Sequence, residues 1–535
     1  MTTAERIRSL AGPLTRGDLL FAVLAGLTGV AGSFAIAGYS RQFLVAPIDA
    51  LVVDLTPGGI IAFMIQNVGE EAHLLHISLS LLIATGLLSG AAAVGLLAKR
   101  RWTPSSTGSV LGFLFGGLLA GLIAWGITAA ITGRPGLAIG AGGPVAVFTA
   151  VAGRSSAWPT HPSVSSSYPS GSSGRPTESA DQSQGSGGHN ASRRSALLAG
   201  ASALAFVGVS GGLGWLVGRS DDGGEDSSPV DDETAALLDE AEEKSLDISG
   251  TVPGLVSPAG EFYNTDIAQF DPELSAADWE LTITGEVGGE ETITFDELTD
   301  MPTERRFTTL RCVGEALNGH KLDTAVWTGT PLRPLLEEVD PEGECGCAML
   351  RAEDGYYVQF PTEALENGFL AWEMNGRPLP TSHGHPVRVL IPGHWGETNV
   401  KWLEEIELLD EEVDGYWEER GWHGTGPVET VAKLWSDTVL GNGNVELAGH
   451  AYAGTRGIDH VEVSIDGGDT WQDAELSEQL PGEDVWRQWR FEFEPDGTHE
   501  VVVRAIDGEG TVQAETESDS FPSGATGWVS KRIRA

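Results

Sequence analysis

The chain has 535 residues and a formal net charge of −44, divided unevenly along its length. Residues 1–219 hold 13 Lys and Arg against 8 Asp and Glu, whereas residues 220–535 hold 19 against 68. This acidic excess argues against a nucleic-acid partner, because a phosphate backbone needs a basic surface. The length exceeds that of one compact domain and predicts three or more units.

Five apolar segments are long enough to predict membrane crossings. They are 18–39, 74–98, 108–132, 136–152 and 196–217. A sixth apolar segment, 44–66, contains Asp49, Asp54 and a Pro-Gly-Gly break, so we expect it to be interfacial or re-entrant.

Composition divides this part of the chain into four predicted regions. They are a membrane region of four helices (1–152), a disordered Ser/Gly/Pro-rich linker (153–195), a fifth transmembrane helix (196–218) and an acidic spacer (219–250). Within the spacer, residues 232–244 are predicted to form a short helix.

Basic residues predict the orientation in the membrane. Arg6, Arg8 and Arg16 place the N-terminus inside, and the basic loop 99–101 also falls inside if 44–66 does not span. The protein is therefore expected to be a multi-pass protein of the cell membrane with its acidic half on the external face. The pair at 193–194 either anchors the last helix by the same rule or is a twin-arginine export signal.

The acidic half carries strand patterning and most of the tryptophans, which favours a folded domain over acidic disorder. Its surface is typical of halophilic adaptation, because dissolved salt screens repulsion between carboxylates. Residues 251–428 alternate short strands with short helices, predicting an α+β fold with a mixed sheet. The strand-like runs are 279–287, 291–298, 306–313, 356–361, 386–393 and 401–409, and the helix-like runs are 331–339 and 361–368. Residues 429–535 show strands joined by Gly/Asp turns, predicting an immunoglobulin-like β-sandwich.

Three cysteines cannot form a disulfide framework, and the C-x-C pair Cys345 and Cys347 is weak support for a metal site. Cys312 has several possible roles from the residues alone: a core residue, a nucleophile or a metal ligand. Cationic and donor side chains cluster near a glycine loop further along the chain. They are His383, His385, Arg388, His394 and Lys401. Such a cluster in an acidic domain indicates an anionic ligand, for which we predict a phosphate-bearing cofactor.

Four segments resemble the sulfite oxidase family of molybdopterin-dependent oxidoreductases. They are "EFYNTDIA" (261–268), "TTLRCVGE" (308–315) with "VWTGTPLRPLL" (326–336), "HGHPVRVLIPGHWGETNVKWL" (383–403) and "YWEERGWHG" (416–424). The C-terminal region is similar to that family's dimerisation domain, so the resemblance extends from residue 255 to the end. It implies a molybdopterin cofactor with one molybdenum and a two-electron oxo-transfer reaction.

Carried over residue by residue, the resemblance makes Cys312 the protein thiolate ligand of molybdenum. Seven further residues match positions that contact the cofactor: Tyr263, Asn264, His383, Arg388, Asn399, Val400 and Lys401. The basic members would pair with the cofactor phosphate.

The expected substrate is a small sulfur oxyanion or a sulfoxide. Trp422 stands where sulfite oxidases place a tyrosine, and no arginine-rich stretch follows Cys312. Arg311 is the one clear candidate for binding an anion, and His394 is a candidate for the pocket wall. Trp422, Arg311 and His394 are therefore predicted to join Cys312 in the catalytic site.

The implied partners are a small-molecule substrate, the lipid membrane, an electron-transfer partner (a cytochrome, a quinone or a small redox protein) and a second copy in a homodimer. Residues 220–535 show no haem-binding stretch, and ordinary interfacial histidines are favoured over haem ligands for His73 and His76. Two other functions remain open: a non-catalytic membrane-anchored binding protein that keeps the fold, and a structural cell-surface protein.

Overall fold

The computed structural model describes residues 14–68, 71–102, 110–155, 201–203, 205–213, 230–268 and 270–534. The chain divides into two compact units. One comprises residues 1–55 and 73–221, and the other comprises residues 56–72 and 222–535.

The helices of the N-terminal part are α1 (Arg16–Ala37), α2 (Val45–Asp54), α3 (Gly58–Asn67), α4 (Glu71–Trp102), α5 (Val110–Thr132), α6 (Ile139–Ser155) and a short apolar α7 (Ala201–Leu213). In the described residues three stretches are long and apolar enough to cross a membrane: Arg16–Ala37, Leu74–Lys99 and Leu114–Thr132. The fourth and fifth predicted crossings correspond to the shorter apolar helices Ile139–Val151 and Ala201–Leu213. The segment 44–66 forms two ten-residue helices, each too short to span a bilayer of about 30 Å at about 1.5 Å per residue. The linker and the arginine pair 193–194 lie outside the described residues.

Small residues bring the helices of the first unit into close contact. A Cβ atom at Gly32 would lie 2.2 Å from the Gly140 carbonyl oxygen, and one at Gly121 would lie 2.5 Å from the Ala146 Cβ. Backbones that approach this closely are typical of helix packing in membranes, where dispersion replaces the hydrophobic effect.

One polar cluster is buried among these helices. The Asp49 carboxylate accepts a 2.7 Å hydrogen bond from Ser80 Oγ and lies 3.0 Å from His76 Nδ1. His76 is thus engaged by a carboxylate, and the side chain of His73 lies outside the described part of the chain.

In the second unit the predicted spacer helix forms as α8, Asp232–Lys244. Asp231 caps it by accepting hydrogen bonds from the backbone N–H groups of Glu233 and Thr234, at 3.1 Å each. An N-terminal carboxylate also complements the helix dipole, so the sequence and the local geometry agree here.

The following strands are β1 (Glu280–Gly285), β2 (Glu291–Thr294), β3 (Glu304–Arg311), β4 (Leu322–Pro331), β5 (Cys347–Ala352), β6 (Tyr357–Pro361), β7 (Phe369–Met374), β8 (Arg377–Pro378), β9 (Arg388–Leu390) and β10 (Leu403–Leu409). The helices between them are α9 (Phe295–Thr299), α10 (Arg333–Val339) and α11 (Thr362–Leu365). Short 3₁₀ turns occur at Ala276–Asp278, Thr381–His383, Gly396–Thr398 and Glu418–Arg420.

The predicted strand 291–298 is wrong in its second half. Thr294 and Glu297 form a capping box, in which the Thr294 Oγ1 accepts from the Glu297 N–H at 3.4 Å and the Glu297 carboxylate accepts from the Thr294 N–H at 2.9 Å. The strand therefore ends at Thr294 and helix α9 begins there.

These strands form two five-stranded sheets. The first has the order β2-β1-β10-β5-β6 and is mixed, because β1 pairs with β10 in parallel while its other pairs are antiparallel. The second is antiparallel, with the order β3-β4-β7-β8 and with β9 also pairing with β7. The expected α+β architecture with a mixed sheet is present, and a separate antiparallel sheet accompanies it. Strand β3 ends at Arg311, so Cys312 is the first residue of the following loop.

The C-terminal strands are β11 (Val431–Ala432), β12 (Ser436–Val439), β13 (Val445–Tyr452), β14 (Ile458–Ser464), β15 (Gln472–Asp473), β16 (Glu475–Leu476), β17 (Arg487–Phe493), β18 (Thr498–Asp507) and β19 (Val529–Arg534). They form one sheet around β11-β13-β17-β16, with β12 on β13, and another with the order β15-β14-β18-β19. A common apolar core draws on both sheets, with Leu447 and Trp489 from one and Val461 and Val503 from the other. The immunoglobulin-like topology and the domain boundaries stay predictions.

Candidate functional site

A cavity with an empty volume of about 950 Å³ opens in the second unit, next to the end of β3. Seven of the residues predicted from the sequence line it: Tyr263, Cys312, Arg388, Asn399, Val400, Lys401 and Trp422. They come from four separate stretches of the chain, so the fold brings together residues up to 159 positions apart.

Cys312 lies at the cavity wall with its side chain buried. Its backbone N–H donates a 3.0 Å hydrogen bond to the Lys321 carbonyl oxygen, which fixes the start of the loop. Burial raises the pKa of the thiol, and the nearby Lys321 ammonium acts in the opposite direction. A nearby positive charge stabilises the thiolate form of such a thiol, and a bound metal ion would supply that charge.

The other two cysteines are paired with each other in a Cys345–Cys347 disulfide. Both sulfurs are therefore occupied, and this C-x-C pair is not a metal site in this structure. Cys312 is the free cysteine of the chain.

Two buried cations line the cavity opposite the thiol's loop. Arg388 donates from Nη1 to the His383 carbonyl oxygen at 3.2 Å and from Nη2 to the Asn399 carbonyl oxygen at 2.8 Å. Its Nε–H has no hydrogen-bond partner within the described structure. Burial lowers the pKa of Arg388 to about 10, so its charge persists at neutral pH.

Lys401 is the second buried cation. Its Nζ donates to the Asp266 carboxylate at 2.8 Å and makes a short contact with Asn264 Oδ1. Asn264 is thus placed beside the cavity through Lys401. The Lys401–Asp266 pair balances charge within a largely buried site.

Asn399, Val400 and His383 form the supporting framework. The Asn399 side chain accepts from the Ile391 N–H at 2.8 Å and donates to the Trp395 carbonyl oxygen at 3.1 Å. His383 is buried with Nε2 3.0 Å from the Ala259 carbonyl oxygen, while its Nδ1 has no partner in the described residues. Burial lowers the pKa of His383 to about 4, so the ring is neutral at physiological pH.

Arg311 and His394 do not line the cavity. The Arg311 guanidinium is fully buried and donates to the Glu315 carboxylate at 3.0 Å and to the carbonyl oxygens of Glu429 and Ala525 at 2.8 and 3.1 Å. The expected anion-binding arginine is therefore engaged in a structural network that reaches the C-terminal strands. His394 Nδ1 lies 3.0 Å from its neighbour's carbonyl oxygen at Pro392.

Sequence reasoning missed several lining residues. Lys321, Tyr356, Glu397 and Trp417 all contribute to the wall. Glu397 is the most unusual, because neither of its buried carboxylate oxygens has a hydrogen-bond partner among the described residues. The one sequence signal that could have identified Glu397 is that a polar residue occurs within the segment "PGHWGETNVKW".

Aromatic rings close one side of the cavity. Trp422 is 2% exposed and packs edge-on against Trp417 and Phe521, with ring centroids 6.3 and 5.1 Å apart. Its indole N–H has no acceptor in the structure as described. A buried N–H without a partner is a ready donor for a ligand oxygen.

Two protein families match the second unit. Residues 268–417 match the oxidoreductase molybdopterin binding domain, and residues 428–522 match the Mo-co oxidoreductase dimerisation domain.

Among curated proteins, the chain is 28% identical over 299 residues to mitochondrial sulfite oxidase of Mus musculus and 30% identical over 308 residues to that of Homo sapiens. Each alignment covers 46% of this chain and 55% of the relative. An NADH nitrate reductase of Spinacia oleracea is 28% identical over 315 residues, covering 46% of this chain and 34% of that protein. The chain thus spans about half the length of these two mitochondrial sulfite oxidases.

Among solved structures, the sulfane dehydrogenase SoxCD from Paracoccus pantotrophus aligns at 22% identity with a TM-score of 0.47. That alignment covers 53% of this chain and 82% of the other.

Proposed function

We propose that the protein is a membrane-anchored oxidoreductase of the sulfite oxidase family, which is supported by the molybdopterin binding domain matched at residues 268–417 and the dimerisation domain matched at residues 428–522. Its reaction would be a two-electron oxygen transfer to or from a small sulfur compound. The observation that supports this most is the placement of Cys312, Arg388 and Lys401 around one cavity.

The residues of the cavity fit the cofactor that this family binds. Cys312 offers a sulfur ligand, and soft thiolates suit a metal centre of this kind. Arg388 and Lys401 offer positive charge to a phosphate, and the unpaired Arg388 Nε–H is a buried donor in the cavity wall that a bound ligand can satisfy. When bound, the molybdenum cofactor supplies the two-electron redox and oxygen-transfer chemistry.

The protein's own residues hold and shape this site. The buried ring of Trp422 and the partly buried ring of Trp417 keep bulk water from one side, which strengthens electrostatic interactions within the cavity. The Tyr263 backbone N–H donates a 2.9 Å hydrogen bond to the Asp323 carboxylate, which holds Tyr263 in place at the cavity wall. Asn399 holds the 396–401 turn against β9 and so orients Lys401.

The wall favours a sulfoxide over a sulfur oxyanion as substrate. Arg311 directs its charge toward Glu315 rather than into the cavity. Trp422 instead presents an apolar ring with one unpaired N–H, which suits a neutral molecule that carries a single S–O oxygen. An oxyanion would require several converging cations besides Arg388 and Lys401, which this proposal gives to the cofactor phosphate, and Lys321 is the one other cation in the described wall.

Metal analysis and activity assays test this function on the full-length protein produced in a host that makes the cofactor. We expect one molybdenum per chain and turnover of a sulfoxide with a reduced one-electron donor. A chain that lacks molybdenum in such a host contradicts the enzyme and favours a non-catalytic binding protein. A chain that holds molybdenum but oxidises sulfite in preference to reducing sulfoxides contradicts the substrate assignment only.

Further proposals concern the membrane. The three apolar helices of membrane-spanning length support anchoring, and the distribution of arginines supports an external catalytic domain. A cofactor inserted in the cytoplasm requires export of a folded domain, which favours a twin-arginine signal at 193–194. Changing both arginines to lysine should leave the domain inaccessible to external protease, whereas normal exposure would contradict that route.

The remaining partners follow from the same assignment. Electrons would be exchanged with a cytochrome, a quinone or a small redox protein, and the matched dimerisation domain supports a homodimer. Size-exclusion chromatography with light scattering tests the dimer, and a monomer at micromolar concentration contradicts it.

A further inference from the structure

A buried carboxyl group lies between the Cys312 loop and the tryptophan loop of the cavity. A Cβ atom built on Gly424 would lie 2.5 Å from Glu397 Oε1 and 2.8 Å from Val313 Cγ2. The Glu397 carboxyl therefore lies near Val313, which follows Cys312, and near Gly424, which comes two positions after Trp422. It also belongs to the cavity wall.

This carboxyl group is not explained by the packing around it. Both Oε atoms are buried, and neither has a hydrogen-bond partner in the described chain. Leaving a buried polar group unpaired is destabilising, so an apolar side chain would serve a purely structural role better here. Its backbone is well held, because the Tyr356 hydroxyl donates to the Glu397 carbonyl oxygen at 2.9 Å.

A second carboxyl group shares the same environment. Glu418 is partly exposed as a residue, yet both its Oε atoms are buried without a partner among the residues described. Burial and the nearby Glu418 together raise the pKa of Glu397 to about 8. Burial also raises the pKa of Glu418, while His423 lowers it. At neutral pH Glu397 is therefore protonated and able to give up a proton.

Several other titratable groups face this pair. In the loop that packs on it are Asp414 and His423, on the strand side is Tyr356, and the cavity wall adds Lys321, Asp354, Arg388 and Lys401. Burial and Glu418 raise the pKa of Glu397, and the nearby Gly424 backbone N–H, which does not reach hydrogen-bond geometry, lowers it.

We propose that Glu397 is the proton-relay residue of the cavity and that Glu418 is the next carrier toward solvent. The proposal rests on the proposed function and deepens it. In the reductive direction a sulfoxide takes up two protons and two electrons, the latter from a one-electron donor used twice, and yields a sulfide and one water. Glu397 supplies one of these protons: its O–H bond breaks as the substrate oxygen gains the proton, and Glu418 then returns a proton from solvent to the Glu397 carboxylate.

The test uses the full-length protein and the isosteric variant Glu397→Gln. Infrared difference spectroscopy across about pH 8 should show a protonated carboxyl band that disappears on raising the pH in the wild type and is absent from the variant. With molybdenum loaded to the wild-type level, the variant should lose at least roughly tenfold in kcat and the inflection near pH 8. Glu419→Gln, an exposed neighbour, is the matched control and should change neither.

A second variant keeps the proposal testable if Glu397→Gln does not fold. Gly424→Ala keeps both carboxyls but forces the Glu397 side chain to move, so its infrared transition should shift in pH while molybdenum content stays unchanged. If molybdenum-loaded Glu397→Gln keeps the wild-type pH profile or the carboxyl band, the relay is overturned and the proposed function stands. A wild-type chain without molybdenum overturns the proposed function instead, and the metal analysis reveals this separately.

Discussion

At the scale of single residues, the direction in which a side chain points decides its role. Arg311 and Cys312 are adjacent in sequence, yet the arginine enters a buried network with Glu315 while the cysteine faces the cavity. Successive residues of an extended chain point to opposite faces. One of two neighbours at the end of β3 therefore faces the cavity, and the other connects this loop to the C-terminal region.

Trp422 combines a cavity wall with an unsatisfied donor. Changing Trp422→Phe removes the unpaired indole N–H, so we expect stability to stay equal or increase and KM for a sulfoxide to increase by roughly tenfold. The measurements are a urea unfolding curve and steady-state kinetics.

Trp279 supplies the matched control for that variant. Its indole N–H donates a 2.8 Å hydrogen bond to the Leu403 carbonyl oxygen, and it lies outside the cavity wall. Trp279→Phe should therefore lose about 1 kcal/mol of stability with KM unchanged. An unchanged KM in Trp422→Phe would show that the Trp422 N–H does not meet the substrate.

At the scale of elements, the 3₁₀ turn Gly396–Thr398 sets the distance between two walls of the cavity. A Cβ atom at Gly396 would lie 2.6 Å from the Tyr263 hydroxyl oxygen and 3.0 Å from the Arg311 carbonyl oxygen. Gly396→Ala should therefore force the turn away from the end of β3 and lower stability by about 1–3 kcal/mol.

Thermal unfolding and molybdenum content measure that effect. The control is Gly426→Ala, since a Cβ atom there has no neighbour within 4 Å. Equal stability of the two variants would contradict the close packing at this turn.

The elements were largely predictable where local patterns dominate. The helix 232–244 and the strands around 280–285 and 403–409 follow from capping and alternation. The capping box at Thr294 is also a local signal, but the strand-forming residues before it favoured the prediction of a continuous strand.

The site was predictable only where a sequence signature carried it. Cys312, Arg388 and Lys401 come from such segments, and the structure places them at one cavity, although their roles stay predictions. Glu397 and the disposition of Arg311 depend on long-range burial, which a single sequence does not encode locally. The pKa of Glu397 depends on Glu418 and Gly424, both more than 20 residues away along the chain.

At the scale of the whole molecule, charge is concentrated in the half that carries the cavity. Residues 220–535 hold 68 acidic against 19 basic residues, so repulsion opposes folding at low ionic strength. Raising salt from about 0.1 M to about 1 M shortens the screening length from about 10 Å to about 3 Å. We therefore expect the Tm of the protein to increase substantially over this range.

Differential scanning fluorimetry in KCl measures this response. Sucrose at matched osmolality serves as the control, since it is excluded from the protein surface but does not screen charge. A Tm that is flat or falls with salt would contradict halophilic adaptation of the surface.

The central claim is that Cys312 is the protein ligand of a molybdenum centre. X-ray absorption at the molybdenum edge of the full-length protein tests it most directly, with Cys312→Ser compared against the wild type. We expect the variant to remain folded, to lose turnover and to show one sulfur fewer around the metal. The same number of sulfur neighbours in both proteins would contradict it.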